Sequence, residues 1–188
     1  MSARPGTLLV IDVQQAFDDP NWGARNNPAA EANVARLLAA WRAAGEPVVH
    51  VRHLNEGAAG RFARHAPGFG AKPEAREQAG EPVVVKTVNS AFIGTDLADL
   101  LTANGGGLVC VGITTDHCVS TTVRMAANYG YNTTIVSDAT ATFERTGPDG
   151  RHWSAEDMHA SALASLNDEF ASVLTTDEVL AELRQPVG

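Results

Sequence analysis

Cysteine is scarce in this sequence. Two cysteines, Cys110 and Cys118, occur among 188 residues, which excludes the disulfide framework that stabilises small secreted domains. Cys110 lies inside an apolar run and Cys118 follows that run, so a bond between them would have to fold the strand end back on itself. We therefore expect two free thiols, with Cys110 in the core, in a protein of the reducing cytoplasm.

Long hydrophobic runs and basic clusters are also missing. The longest apolar runs have the length of a strand, far below the roughly 20 residues of a membrane-spanning helix. Residues 1–7 lack the joined basic and apolar regions of a secretory signal. The net charge is −8 and no basic cluster stands out, so neither nucleic acid nor a membrane is an expected partner. The length and a hydrophobic content of 44% are typical of one globular domain, assigned to residues 1–188.

Short apolar runs alternate along the chain with segments of helical spacing. Runs such as LLVID and LVCVGI are apolar throughout, which is typical of strands covered on both faces. The sequence therefore predicts a doubly wound, Rossmann-like α/β domain, a three-layer sandwich with helices on both sides of a mostly parallel six-stranded sheet. The predicted strands are residues 8–13, 47–51, 83–88, 108–113, 133–137 and 171–174. The predicted helices are residues 28–44, 96–103, 116–129 and 154–167, followed by a last helix that ends near residue 184.

Local patterns indicate how some helices begin, end and pack. Residues with capping-box spacing precede the last two helices, Ser154 with Asp157 and Thr175 with Glu178. The first helix is expected to end at Gly45. Its packed face is predicted to consist of Ala32, Ala35, Leu38 and Ala39.

Two glycine-rich regions are interpreted as loops. Residues 54–81 form a stretch too long for a simple connector, which indicates a flap or an interface loop. The glycine triplet 105–107 precedes a strand instead of following one, so it fails the dinucleotide-binding pattern and predicts a turn.

Three polar residues lie at or just beyond the carboxyl ends of predicted strands. Asp12 follows the first apolar run, Lys86 follows the apolar residues 83–85 of the third strand, and Cys118 comes shortly after the fourth. Ligands of such folds bind beyond the carboxyl ends of the strands, so these three side chains are expected to meet there. Burying a carboxylate and an ammonium separately is costly, which favours an ion pair between Asp12 and Lys86.

Cys118 has a second reason to be reactive. The segment GITTDHC leads from a strand into a helix, with Thr115 as the expected N-cap and Cys118 in the first turn. The positive end of a helix dipole favours a thiolate, and the same turn can present N–H groups to an oxyanion. A nucleophile, an acid/base and an oxyanion site form a centre for acyl transfer. Each residue also has a purely structural interpretation: a helix-start cysteine, a solvated strand-end lysine and a capping aspartate.

The histidines do not suggest a second centre. His117 adjoins Cys118, but adjacent residues of a helix do not face each other, so a Cys–His dyad is not predicted. His50 and His53 lie three residues apart on a strand and should point to opposite faces, so a shared metal is not predicted.

Four motifs, in order along nearly the whole chain, resemble the isochorismatase-like cysteine hydrolases. They read LLVIDVQQAF, VVVKTVNSAF, GITTDHCVSTTVRMAANYGY and VSDATATF. The resemblance implies a doubly wound domain with a mostly parallel six-stranded sheet that assembles as a homodimer or homotetramer. It also implies that Asp12 is the acid/base, Lys86 the lysine partner and Cys118 the nucleophile. A cis peptide is implied at Ile113–Thr114, where it would aim the Thr114 N–H, together with the Cys118 N–H, at the oxyanion.

Departures from the family pattern bear on the substrate. Nicotinamidases of this family bind a metal through an Asp-x-His pair after the second strand, whereas this chain reads His53-Leu54-Asn55. We therefore expect no catalytic metal and no cofactor. True isochorismatases lack a cysteine at the nucleophile position, so Cys118 favours amide-type chemistry on a small-molecule substrate. The NSAF and DATATF segments look closest to the small streptothricin hydrolase-like members.

The expected activity is cysteine-dependent hydrolysis of a C–N bond in a small amide, ureido or lactam substrate, through a thioester. Phe17, Phe92, Trp22 and His117 are predicted to line the substrate pocket, with Phe143 as a weaker candidate. Two alternatives stay open. One is vinyl-ether hydrolysis of an isochorismate-like substrate, with Cys118 idle. The other is a non-catalytic, flavodoxin-like binding module, in which Cys118 would react slowly with thiol reagents.

Overall fold

The computed structural model describes residues 6–55, 60–104 and 107–184, and it is built around a parallel sheet. The strands are β1 (Thr7–Ile11), β2 (Val48–His53), β3 (Val83–Lys86), β4 (Leu108–Ile113), β5 (Thr133–Ala141), β6 (Arg145–Thr146), β7 (His152–Trp153) and β8 (Ser172–Leu174). Six of them form one sheet in the order β3–β2–β1–β4–β5–β8, and each neighbouring pair is parallel. The predicted doubly wound fold is therefore confirmed. The antiparallel β6–β7 hairpin was not predicted.

Five helices cover the two faces of the sheet. They are α1 (Ala30–Ala44), α2 (Leu97–Asn104), α3 (Ser120–Asn128), α4 (Ala155–Leu166) and α5 (Thr176–Leu183). Residues of α1 and α5 share one hydrophobic cluster with Leu8 and Val10 of β1, whereas α2, α3 and α4 share the other with Leu9 and Ile11. Alternate residues of one strand thus face opposite layers, as the uninterrupted apolar runs predicted.

The buried face of α1 differs from the prediction. Leu38 is buried as expected, but Ala32 and Ala39 are exposed and Ala35 is half-buried. The buried residues of the helix are Ala30, Val34, Leu37, Leu38 and Trp41. The larger side chains remove more apolar surface from water than alanines do, so they determine which face packs on the sheet. The helix does end at Gly45, which has a left-handed φ of 67°.

Gly112 shapes the end of β4 next to β1. Its φ is 135°, and a Cβ there would lie 1.9 Å from the carbonyl oxygen of Ile11. Glycine therefore permits the two central strands to approach closely at their carboxyl ends. The register between β4 and β5 also shifts between Cys110 and Gly112.

The connecting segments are partly described. Residues 1–5, residues 56–59 of the long loop, and residues 105 and 106 of the glycine triplet lie outside the described residues. The described remainder of the long loop forms short 3-10 turns at Pro67–Phe69 and Pro73–Ala75. Thr175 with Glu178 forms the predicted capping box, and Ser154 Oγ accepts from the Asp157 N–H at 3.1 Å. Within the described residues, no helix combines the length and apolar composition needed to cross a membrane.

Candidate active site

Four neighbouring strands end at one edge of the sheet, and each brings a polar side chain there. Lys86 is the last residue of β3, His53 is the last residue of β2, and Asp12 directly follows β1. Cys118 lies in the turn that follows β4. The strand order places these residues side by side, and His53 pairs in register with Lys86. The structure therefore brings the three candidate residues of the sequence together and adds His53 to them.

The Lys86 ammonium is at the centre of this group. Its Nζ lies 2.6 Å from Asp12 Oδ2, 3.3 Å from Cys118 Sγ and 3.2 Å from His53 Nδ1. An ammonium has three N–H donors, so these three atoms can accept all of them if His53 is neutral with its proton on Nε2. Burial and the nearby charge of Lys86 lower the pKa of His53, which favours the neutral ring. All hydrogen-bonding capacity of the ammonium is thus used inside the protein.

The same group could in principle bind a metal ion. Asp12, His53 and Cys118 each offer one ligand atom, and these atoms lie within 4.8 Å of one another. However, the Lys86 ammonium already contacts all three residues, and a second cation would be repelled at such short distances. The donor set therefore fits an ammonium better than a metal, and the expected absence of a catalytic metal stays a prediction.

Asp12 is held in an unusual environment. Its backbone has a φ of 52°, in the left-handed region that aspartate tolerates better than most residues, and its N–H donates to the Val51 carbonyl at 3.0 Å. The side chain is fully buried. Burial raises the pKa of the Asp12 carboxyl above its ordinary value, and the ion pair with Lys86 opposes this rise only in part. A carboxylate with a raised pKa is a stronger base.

The surroundings of Cys118 favour the protonated form of its thiol. Burial, and then the negative charge of Asp12, raise the pKa of Cys118 from 9.0 to about 12, while Lys86 acts in the opposite direction. This direction opposes the resting thiolate that the helix-start position of Cys118 predicts. A rise of this size corresponds to about 4 kcal/mol, whereas a helix terminus contributes only about 0.3–2 kcal/mol. The loss of water around the sulfur outweighs the dipole.

The turn that carries Cys118 is fixed at its start. Residues Thr115–Val119 form one π-helical turn, and the peptide between Ile113 and Thr114 is cis. Thr115 does not cap this turn, which corrects the prediction. Its Oγ1 lies 2.9 Å from His159 Nδ1 instead, because α4 packs against the turn and brings His159 there. The position before the turn belongs to Thr114, whose side chain makes no capping bond.

A small aromatic cavity opens in front of Asp12, His53 and Cys118. Its volume is about 160 Å³. Three aromatic walls contact one another: the ring centroid of Phe17 lies 5.2 Å from those of Trp22 and Phe62. The lining also includes Asn89, Thr114 and His117. Predicted pocket residues Phe17, Trp22 and His117 therefore line the cavity, as does Thr114, while Ile113 packs behind Phe17 in the same cluster.

Phe92 is the pocket prediction that the structure contradicts. Its ring packs against Tyr129 and Tyr131, with centroids 5.3 and 6.1 Å away, in the core cluster on the side of α3. The neighbouring Ala91 N–H donates to Thr122 Oγ1 of α3 at 3.1 Å, which turns this segment towards α3 and leaves Asn89 at the cavity. Phe143 also does not line the cavity, because it stacks behind Phe17 and Trp22.

Sequence reasoning missed three residues of the site. His53 ends β2, which lies between the strands of Lys86 and Asp12, so a strand-order argument would have found it. Asn89 follows Lys86 by three residues and carried no distinct signal. Phe62 lies in the long loop, and its ring reaches His53 edge-on with centroids 5.3 Å apart. Its position depends on how that loop folds, which the sequence pattern did not indicate.

Comparison with known proteins gives consistent results. Residues 7–178 match the family model described as the isochorismatase domain. The crystal structure of a putative hydrolase of the isochorismatase family from Chromobacterium violaceum superposes with a TM-score of 0.94 at 44% identity, covering 97% of this chain and 95% of that one.

Three relatives illustrate the range of names. An uncharacterized isochorismatase family protein of Bacillus subtilis, YrdC, is 42% identical over 92% of this chain and 93% of its own length. Streptothricin hydrolase of Streptomyces noursei is 34% identical over 92% of this chain and 60% of its own length. Maleamate amidohydrolase of Pseudomonas putida is 29% identical over 98% of this chain and 90% of its own length.

Proposed function

Because the chain belongs to the isochorismatase family and is a hydrolase of that family, we propose that it cleaves a C–N bond with Cys118 as nucleophile. The substrate is a small amide, ureido compound or lactam. The observation that carries this proposal is the contact of Cys118 Sγ with the Lys86–Asp12 ion pair at the wall of the aromatic cavity. The name of the Pseudomonas putida relative, an amidohydrolase, supports amide chemistry.

The reaction begins with proton transfer from Cys118 to Asp12. Because burial favours the protonated thiol, this transfer accompanies the attack of the sulfur on the carbonyl carbon. The Lys86 ammonium stabilises the sulfur charge at 3.3 Å. The backbone N–H groups of Thr114 and Cys118 donate hydrogen bonds to the oxyanion that forms.

Collapse of the tetrahedral intermediate breaks the C–N bond. Asp12 returns its proton to the leaving nitrogen, which departs as an amine or ammonia, or stays attached to the acyl group when a lactam ring opens, and a thioester remains on Cys118. Asp12 then accepts a proton from water as that water attacks the thioester. Release of the carboxylic acid restores the Cys118 thiol, so atoms and protons balance over the cycle.

A screen for ammonia release from small amides and ureido compounds, and for the ring-opened amino acid from lactams, tests the proposal. Cys118→Ala should lose at least about 10⁴-fold in kcat, because members of a nucleophilic unit fail together. The matched control is Cys110→Ala, which removes a thiol of the core and should stay active. Full activity of Cys118→Ala would refute the nucleophile. Pyruvate without ammonia would instead identify vinyl-ether hydrolysis.

Thiol labelling does not separate an enzyme from a non-catalytic binding module in this protein. A buried thiol with a raised pKa reacts slowly in either case. The discriminating observation is a thioester adduct on Cys118, detected by mass spectrometry after rapid acid quenching with a substrate. A binding module would form none.

We also propose that the chain forms homodimers or homotetramers in the cytoplasm. Large apolar side chains that are exposed in the single chain support assembly, namely Val88, Ile93 and Tyr129. Both cysteines are free thiols, and the nucleophile must stay reduced, which supports a reducing compartment. Light scattering after size-exclusion chromatography measures the assembly, and a monomer would refute it.

A further inference from the structure

We propose that the amide bound in this cavity is small, flat and uncharged. The inference rests on the proposed function, since it names the class of amide that the Cys118 site accepts. It excludes carboxylated amides such as maleamate, although that compound gives one relative its name.

The size and walls of the cavity favour a flat ligand. A volume of about 160 Å³ is smaller than the roughly 300–1,000 Å³ of pockets that hold drug-sized molecules. The Trp22 ring is locked, because its Nε1–H donates to the Ala16 carbonyl at 2.9 Å. Trp22 therefore offers only its apolar ring to a ligand, as Phe17 and Phe62 do. Planar π systems stack well against such faces and edges.

No cationic side chain of the described lining can pair with a carboxylate. The lining contains neither lysine nor arginine among the described residues, and residues 56–59, which lie outside them, read Glu-Gly-Ala-Ala. Lys86 lies behind the wall with its three donors already accepted by Asp12, Cys118 and His53. A carboxylate moved from water into this cavity would lose its hydration without gaining a counter-charge.

Two arginines near the cavity, Arg61 and Arg145, lie outside its lining and each forms an ion pair with a carboxylate. Arg61 forms an ion pair with Asp19, and its guanidinium lies 5.3 Å from the centroid of the Trp22 ring. Arg145 Nε lies 3.3 Å from Asp116 Oδ2. A carboxylated ligand would have to draw one of these cations away from an existing carboxylate.

The polar groups that remain suit an uncharged ligand. Asn89 brings a neutral carboxamide to the lining. Burial lowers the pKa of His53, so that ring is neutral as well. Neutral donors and acceptors can satisfy the carbonyl and N–H groups of an amide without a charge.

Isosteric pairs test this inference directly. Maleamide and maleamate have the same shape and differ only in a carboxamide against a carboxylate, and terephthalamide and terephthalamate form an aromatic pair. We expect kcat/KM to favour the uncharged member by at least about 100-fold. Maleamide should release one equivalent of ammonia, because its product is the rejected maleamate. Two equivalents, or equal kcat/KM values within a pair, would overturn the inference.

Binding to the Cys118→Ala variant separates this inference from the proposed function. Calorimetry with the same four compounds measures recognition without turnover. If the uncharged members bind and the wild-type protein releases no ammonia from them, the proposed function fails and the selectivity stands. If a carboxylated member binds as tightly as its partner, or if no compound binds, the inference fails.

A charge placed in the wall provides a converse test. Phe62→Arg supplies the missing cation and should shift kcat/KM towards the carboxylated member of each pair by about tenfold. Phe62→Leu is the matched control, since it removes the ring without adding charge. It should lower kcat/KM for both members of each pair by the same factor. An equal shift in the two variants would contradict the electrostatic argument.

Discussion

The buried Asp12 and the half-buried Glu31 both pair with a lysine, yet their pKa values shift in opposite directions. Asp12 lies 2.6 Å from Lys86 at the functional edge, and its pKa is raised. Glu31 lies 2.8 Å from Lys72 at the start of α1, and its pKa is lowered to about 2. The lysine contact is similar in both places, so it does not by itself decide the protonation state.

The surroundings of the two pairs explain the difference. Burial alone would raise both pKa values, but the Glu31 side chain is 14% exposed and also accepts from Arg25 at 2.6 and 2.5 Å. Two cations therefore outweigh its desolvation. Asp12 is fully buried and has one cation, which also serves Cys118 and His53. The first pair suits proton transfer, whereas the second joins α1 to the long loop.

The largest expected effect concerns turnover. Asp12→Asn should lower kcat by about 10⁴-fold, because an amide cannot accept the Cys118 proton. Glu31→Gln makes the same chemical change at the other pair and should leave kcat unchanged. Steady-state rates of ammonia release measure both. A kcat for Asp12→Asn within tenfold of the wild-type value would remove Asp12 from the mechanism.

The next effect is on stability and concerns the opposite pair. Glu31→Gln should lower the free energy of unfolding by about 2 kcal/mol, because charged hydrogen bonds to Arg25 and Lys72 are lost. Glu182→Gln, at an exposed position of α5, should leave the free energy of unfolding unchanged. Urea denaturation at pH 7 measures these values. Equal free energies of unfolding for Glu31→Gln and the wild-type protein would show that the contacts of Glu31 with Arg25 and Lys72 do not stabilise the fold.

Asp12→Asn should behave differently in the same denaturation experiment. A raised pKa means that the folded state disfavours the ionised carboxylate, so a neutral amide should keep the stability or increase it by about 1 kcal/mol. The variant would then be stable and inactive, the reverse of Glu31→Gln. A loss of stability above that size would mean that the attraction to Lys86 exceeds the cost of burial.

The smallest effect is a difference in pH dependence. Glu31 has a folded pKa of about 2 and an ordinary value of 4.5, so its stabilisation is complete above pH 4.5 and is lost as the pH falls to 2. The stability difference between wild type and Glu31→Gln should shrink over that range. For Asp12 the sign is opposite, because its raised pKa costs stability as the pH rises above 3.8. Denaturation curves at several pH values compare the two, and parallel slopes would contradict the assignment.

The sequence predicted well what depends on strand pattern. Asp12 and Lys86 interrupt apolar runs, and parallel strands bring their ends to one edge, so their meeting was predictable. The sequence predicted a thiolate at Cys118, and it could not indicate the burial that opposes ionisation, because this burial comes from tertiary packing. Asn89 and Phe92 belong to the same sequence motif, NSAF. Only the contact of this segment with α3 determines that Asn89, and not Phe92, lines the cavity.

The origin of the cavity walls has an evolutionary consequence. Phe17, Trp22 and Phe62 belong to connections between strands, whereas Asp12 and Lys86 stand at strand ends and Cys118 lies in the turn after β4. Mutation of these aromatic residues can therefore change which ligands bind while Asp12, Lys86 and Cys118 stay in place. Directed evolution confined to these three positions should therefore change substrate preference while Asp12, Lys86 and Cys118 stay unaltered. Proteins that share an ancestor can diverge in substrate in the same way, without a change in these three residues.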